Sequence, residues 1–119
     1  MLTILHASDL QFGKPFRPRA GEAFRNLAFD VMPHLIVVSG DLTQRAKPRE
    51  FKAAWNFLQR LPTVPLVVTP GNHDVPLYRI WERAVTPFWR WRHHIPRDVD
   101  SVVRVAGSMI VGLNSASPY

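Results

Sequence analysis

Three short apolar runs constrain this chain more than anything else in it: Leu2-Thr3-Ile4-Leu5-His6-Ala7, Leu35-Ile36-Val37-Val38-Ser39 and Val64-Pro65-Leu66-Val67-Val68. Each is rich in β-branched residues, too short for a helix and bounded by turn formers, the pattern of a buried strand. Between the first two, Phe24, Leu27, Ala28 and Val31 fall at i, i+3, i+4 and i+7, which predicts an amphipathic helix from Glu22 to Met32, closed by Pro33. Between the second and third, Pro48 suits the first turn of another helix, whose stripe is Phe51, Ala54, Trp55, Leu58 and Leu61 and whose stop is Pro62. The order β-α-β-α-β implies parallel strands joined by right-handed crossovers. All three carboxyl ends then lie side by side, where open α/β sheets place their ligands.

The remainder of the chain adds smaller pieces. The loop after the first strand runs to about Gly21 and contains a basic turn, Lys14 to Arg19, with two prolines. Pro76 and Pro87 each suit the start of a short helix. Between them and Pro96, Trp81, Trp89 and Trp91 alternate with Arg79, Arg83, Arg90 and Arg92. Such a segment could act as a lid or stack bases of a single strand. The spacing of Trp81, Phe88 and Trp91 favours a helix face packed on protein outside this chain. Val102 to Val105 and Met109 to Leu113, separated by Ala106-Gly107-Ser108, read as a β-hairpin.

Composition narrows the classes. At 119 residues, 46% hydrophobic and 20% charged, the chain reads as one globular domain, residues 1–119, small for a sheet covered on both faces and hence partial. It has no cysteine, so any metal must be held by oxygen and imidazole. No apolar run approaches the roughly 20 residues of a membrane span, and the first run lacks a signal-peptide core, which makes a cytoplasmic location the expectation. The net charge of +6 favours an anionic partner: a phosphorylated substrate, a nucleotide or nucleic acid, or a membrane surface.

The strand ends carry the chemistry. Asp9 and Gln11 follow the first strand, Gly40-Asp41 the second, and Gly71-Asn72-His73-Asp74 the third. If the chain stays extended, Asp9 and Gln11 point the same way, as two ligands of one ion must. Carboxylate, amide and imidazole donors suit Mn²⁺, Fe²⁺ or Zn²⁺. Two such ions can hold the oxygens of a phosphate ester and acidify a bound water. On its own, the third loop also reads as a helix-capping turn. Among the other histidines, His6 is expected to be packed, His34 structural, and His93-His94 a solvated pair.

Taken together, His6-Ala7-Ser8-Asp9-Leu10-Gln11-Phe12-Gly13, Ser39-Gly40-Asp41-Leu42-Thr43 and Pro70-Gly71-Asn72-His73-Asp74 resemble the first three blocks of the calcineurin-like metallophosphoesterases. The resemblance implies the first half of a four-layer α/β/β/α sandwich and hydrolysis of phosphate mono- or diesters by two divalent metal ions. It assigns Asp9 to the first metal, Asp41 to a bridging position and Asn72 to the second metal. It makes His73 the acid for the leaving group, with Asp74 placed to orient its ring. Gln11 stands where the family usually has histidine, which implies altered ligation. The family's later histidine ligands have no counterpart here, so the missing half of the domain, or self-association, is the expected partner of the hairpin's exposed apolar faces. A phosphate- or nucleic-acid-binding module that keeps the fold without catalysis is the alternative.

Overall fold

The structure, a computed structural model, describes residues 1–14 and 16–117. Three parallel strands, β1 (Ile4–Ser8), β2 (Leu35–Ser39) and β3 (Leu66–Thr69), form one sheet in the order β1-β2-β3. Ile4 pairs with Leu35, and Ile36 in turn with Leu66. Between them run α1 (Pro18–Val31) and α2 (Pro48–Gln59). Both helices cover the same face: Ala28 and Phe24 of α1 and Phe51, Ala54, Phe57 and Leu58 of α2 cluster with Leu5, Ile36, Val38 and Val68. A strand order that rises without reversal, connected by right-handed crossovers, requires that arrangement.

The helix α1 starts four residues before the position the apolar stripe suggests. Pro18 is not part of a turn but the first helical residue, where its fixed φ is already helical and its missing N–H costs nothing. Arg19 is helical with it, Lys14, Phe16 and Arg17 precede the helix, and Pro15 lies outside the described residues. Of the predicted stripe, Ala28 is buried but Leu27 and Val31 are 47% and 43% exposed. Helix α2 is better covered, with Phe51 and Ala54 fully buried. Its N-terminus is capped by Glu50, whose Oε2 accepts the N–H groups of Arg45 (2.9 Å) and Lys47 (3.2 Å).

Strand β1 departs from its reading as a buried strand. It is an edge strand whose side chains alternate, with Leu5 and Ala7 half-buried and Ile4, His6 and Ser8 exposed. On that second face His6 is not packed; its Nε2 lies 2.6 Å from Ser39 Oγ. His34 is structural as expected, its Nδ1 accepting the N–H of Thr3 at 3.0 Å.

Two short helices, α3 (Ile80–Val85) and α4 (Trp89–His94), follow β3. Trp91 is fully buried against Phe51 of α2, with ring centroids 6.4 Å apart and planes at 90°. This tryptophan therefore packs within the chain itself and needs no further protein; Trp81 and Trp89 remain exposed. His93 and His94 are likewise more than a solvated pair, stacking on Trp89 and Phe51 respectively. Burial lowers the pKa of His94, and the neighbouring His93, Arg90 and Lys52 act in the same direction. The chain then forms the antiparallel hairpin β4 (Ser101–Val105) and β5 (Ser108–Gly112). Its turn residues Ala106 and Gly107 both have positive φ, 49° and 76°, the twist a two-residue hairpin favours.

The hairpin packs on β3, on the face opposite α1 and α2. Gly112 permits the contact: a Cβ there would lie 2.8 Å from Val67 Cγ1. Its outer side chains Val102, Met109 and Val111 are more than half exposed, as expected of an apolar face without a cover. Among the described residues no helix is long and apolar enough to cross a membrane.

Candidate active site

The loops after the three strands are zipped together by main-chain hydrogen bonds beyond the sheet's end. The N–H groups of Asp9, Gln11 and Phe12 donate to the carbonyls of Gly40, Asp41 and Leu42 at 3.2, 2.9 and 2.7 Å. Gly40 N–H reaches Thr69 O at 2.9 Å. To make these contacts the backbone enters the left-handed region at Asp9 (φ 56°), Gln11 (φ 49°) and Asp41 (φ 53°). Non-glycine residues rarely adopt it, and aspartate does so more readily than most. Residues 9 to 11 are thus not extended, and the premise that Asp9 and Gln11 point the same way fails.

Asp74 is the buckle between the second and third loops. It is fully buried. Its Oδ1 accepts the N–H of Thr43 at 2.8 Å and that residue's hydroxyl at 2.9 Å. Its Oδ2 accepts the N–H groups of Leu42 at 3.0 Å and Gly71 at 2.9 Å. Burial pushes its pKa up to about 6, with the hydrogen bonds opposing the rise. The carboxylate is therefore committed to loop backbone. His73 is oriented instead by Gln44, whose carbonyl oxygen lies 2.8 Å from Nδ1. A carbonyl only accepts, so Nδ1 carries the hydrogen and Nε2 is left for a ligand. No sequence signal could have named Gln44, since it contributes a main-chain atom.

Above the strand ends lies a cavity of about 630 Å³ whose walls include Asp9, Asp41, Asn72, Gly40, Gly71 and Arg83. It brings together three of the four metal ligands the sequence suggests; Gln11 is not part of its lining. His73 faces a second cavity, which shares Asn72 and Arg83 with the first. Asp41 Oδ1 is fixed by the N–H of His73 at 3.0 Å. Gly71 matters here for space, not conformation: a Cβ would collide with the Asp41 carboxylate and its backbone nitrogen.

With this geometry in view, the family model of the calcineurin-like phosphoesterases matches residues 2–111. The chain belongs to that family. No curated protein matches it. The mixed α/β architecture, a parallel sheet alternating with helices plus a hairpin, is consistent with the family's fold.

Calcineurin-like phosphoesterases generally depend on two metal ions. Among the described residues no cluster of three or more His, Cys, Asp or Glu is close enough to hold one. The donors present nevertheless fit a hard divalent cation: two carboxylates and an amide in the lining of one cavity, with space kept open by Gly71. Arg83 is the residue here that sequence reasoning placed elsewhere. It sat among tryptophans read as packing, and only the fold brings α3 back over the strand ends.

Proposed function

We propose that this chain provides the metal-dependent phosphoesterase site of its family, acting on phosphate mono- or diesters. Asp9, Asp41 and Asn72 would hold the divalent cations, of which Mn²⁺, Fe²⁺ and Zn²⁺ suit such donors. When bound, the ions would polarise the phosphoryl oxygens and acidify water. In the hydrolysis a water oxygen would form the new bond to phosphorus and lose a proton to solvent as the bond to the leaving oxygen breaks, and His73, carrying hydrogens on both ring nitrogens, would give that oxygen the Nε2 proton. The single observation that carries the reading is the His73 ring, anchored at Nδ1 by Gln44 O and bordering the cavity that adjoins the Asp9–Asp41 cavity. A histidine so held is suited to general acid catalysis.

The test is hydrolysis of an aryl phosphate diester with added Mn²⁺. Turnover that is abolished by chelation and reduced about 10²-fold or more by His73→Ala supports the proposal. Absence of Mn²⁺-dependent turnover counts against it.

A second reading draws on the sparse ligand set and the net charge of +6: a phosphate- or nucleic-acid-binding module without catalysis. Affinity for a phosphorylated probe that falls steeply with salt and is indifferent to Asp41→Ala would favour it.

A further inference from the structure

A third cavity, of about 620 Å³, opens beside the one that His73 borders and shares Gln44 and Arg45 with it. Lys14, Arg45, Lys47 and Arg49 line it, against a single carboxylate, that of Glu50. Glu50 is buried, and its Oε2 is taken by the N–H groups of Arg45 and Lys47. Lys14, Lys47 and Arg49 are exposed, and their side chains enter no ion pair or hydrogen bond among the described residues.

The fold assembles this cluster from two loops distant in sequence. Phe12 N–H donates to Leu42 O at 2.7 Å and Gln44 N–H to Phe12 O at 3.0 Å, which pins the loop bearing Lys14 against the one leading into α2. Gly13 permits the approach: its φ is 137°, and a Cβ there would lie 2.7 Å from Glu50 Oε1. Like charges repel, so cations held together by backbone contacts leave a positive field that a polyanion would neutralise. Beside them stands an accessible ring. Tyr78 lines the cavity that His73 borders and is 75% exposed, and its hydroxyl accepts from Arg45 Nη1 at 2.7 Å. Arg45 is thereby committed to the ring, and the cations open to a ligand are Lys14, Lys47 and Arg49.

We propose that Lys14, Lys47, Arg49 and Tyr78 form a track for single-stranded nucleic acid, with phosphates on the cations and a base stacked on the tyrosine ring. Several cations around one cavity suit a chain of phosphates, and an exposed ring beside them suits a planar base. A duplex hides its base faces, and a lipid headgroup or an acidic peptide backbone has none to offer. The inference goes beyond the phosphoesterase reading, since the track holds a strand whether or not the Asp9–Asp41 cavity hydrolyses it. It also goes beyond the second reading, which rests on total charge and names no surface.

The experiment is fluorescence anisotropy of a short labelled oligothymidylate with the whole chain in EDTA, so that binding is read without metal or turnover. The slope of log K against log [KCl] should be about −2, roughly −0.7 for each of the three cations. Lys47→Gln and Arg49→Gln should each make it shallower by about 0.7. Arg104→Gln removes the same charge from the hairpin, outside the track, and should leave the slope unchanged. Tyr78→Ala should weaken binding about fivefold or more, whereas Tyr78→Phe, which keeps the ring, should retain most of the affinity. An abasic strand of equal length should bind the unaltered chain about fivefold or more below oligothymidylate, since it has no base to stack.

No binding at low salt overturns the proposal, as does a slope that Arg104→Gln changes as much as Lys47→Gln does. Equal affinity for the abasic strand, for a duplex of the same length, for polyglutamate or for phosphatidylserine vesicles overturns it as well. Track-dependent binding by a chain without Mn²⁺-dependent turnover keeps the track and rejects the phosphoesterase reading. Turnover of an aryl diester by a chain that does not bind the strand does the reverse.

Discussion

The Nδ1 of His73 lies 2.8 Å from the main-chain oxygen of Gln44, so the ring that faces the second cavity is oriented by backbone. The side chain of Gln44 should therefore be dispensable for that orientation. Its Oε1 is buried and has no hydrogen-bond partner among the described residues. Gln44→Leu is expected to keep the Nδ1–H tautomer, read from ¹⁵N imidazole shifts, and to change stability by less than about 1 kcal/mol or raise it.

Asp74 gives a pH dependence whose sign follows from its raised pKa. The folded chain holds the proton to about pH 6, the unfolded chain only to the ordinary value of 3.8. Its contribution to stability is thus fully present below pH 3.8 and lost as pH rises through 6. The amide introduced by Asp74→Asn does not titrate. In urea unfolding, the stability of the unaltered chain relative to Asp74→Asn should therefore fall between pH 4 and pH 7 by up to ~3 kcal/mol.

Gly71→Ala should be costly for steric reasons. The added methyl meets the carboxylate and nitrogen of Asp41, and the neighbouring loop must move. A loss of about 1–3 kcal/mol by denaturant titration is expected, together with weaker Mn²⁺ binding by calorimetry.

At Asp9 backbone and side chain can be separated. With φ at 56°, glycine fits and alanine is strained. Asp9→Gly and Asp9→Ala should weaken Mn²⁺ binding equally, yet Asp9→Ala should melt lower, corresponding to about 1 kcal/mol.

The tryptophans of the basic segment divide sharply. Trp91 is fully buried and Trp81 is 83% exposed. Trp91→Ala is expected to cost about 3–5 kcal/mol and Trp81→Ala less than about 0.5 kcal/mol in urea unfolding.

Much of the fold was legible because strand and helix periodicities are local. The strand at 35–39, helix α2 with its Pro48 start and the hairpin all follow from spacing and turn chemistry. What stayed hidden depends on neighbours distant in sequence. Whether β1 is covered on one face or two is decided by the layer packed above it, which no pattern within Leu2 to Ala7 records. The polar junctions pointed to Asp9, Asp41 and Asn72, which line one cavity. The partner of Asp74 was misjudged because adjacency to His73 suggests an Asp–His pair, whereas the buried carboxylate found its donors on Leu42, Thr43 and Gly71. Gln11 was judged from an extended geometry that its left-handed backbone does not adopt.

The left-handed backbone at Asp9 and Asp41 has one more consequence. The backbone that bears their carboxylates is fixed by hydrogen bonds between loops, so the unfavourable dihedrals are met once, when the chain folds. A ligand arriving later has little loop ordering left to impose, and its affinity should reflect donor chemistry rather than loop closure. The site is preorganised, and its selectivity is more readily altered by exchanging donors than by stiffening the loops that carry them.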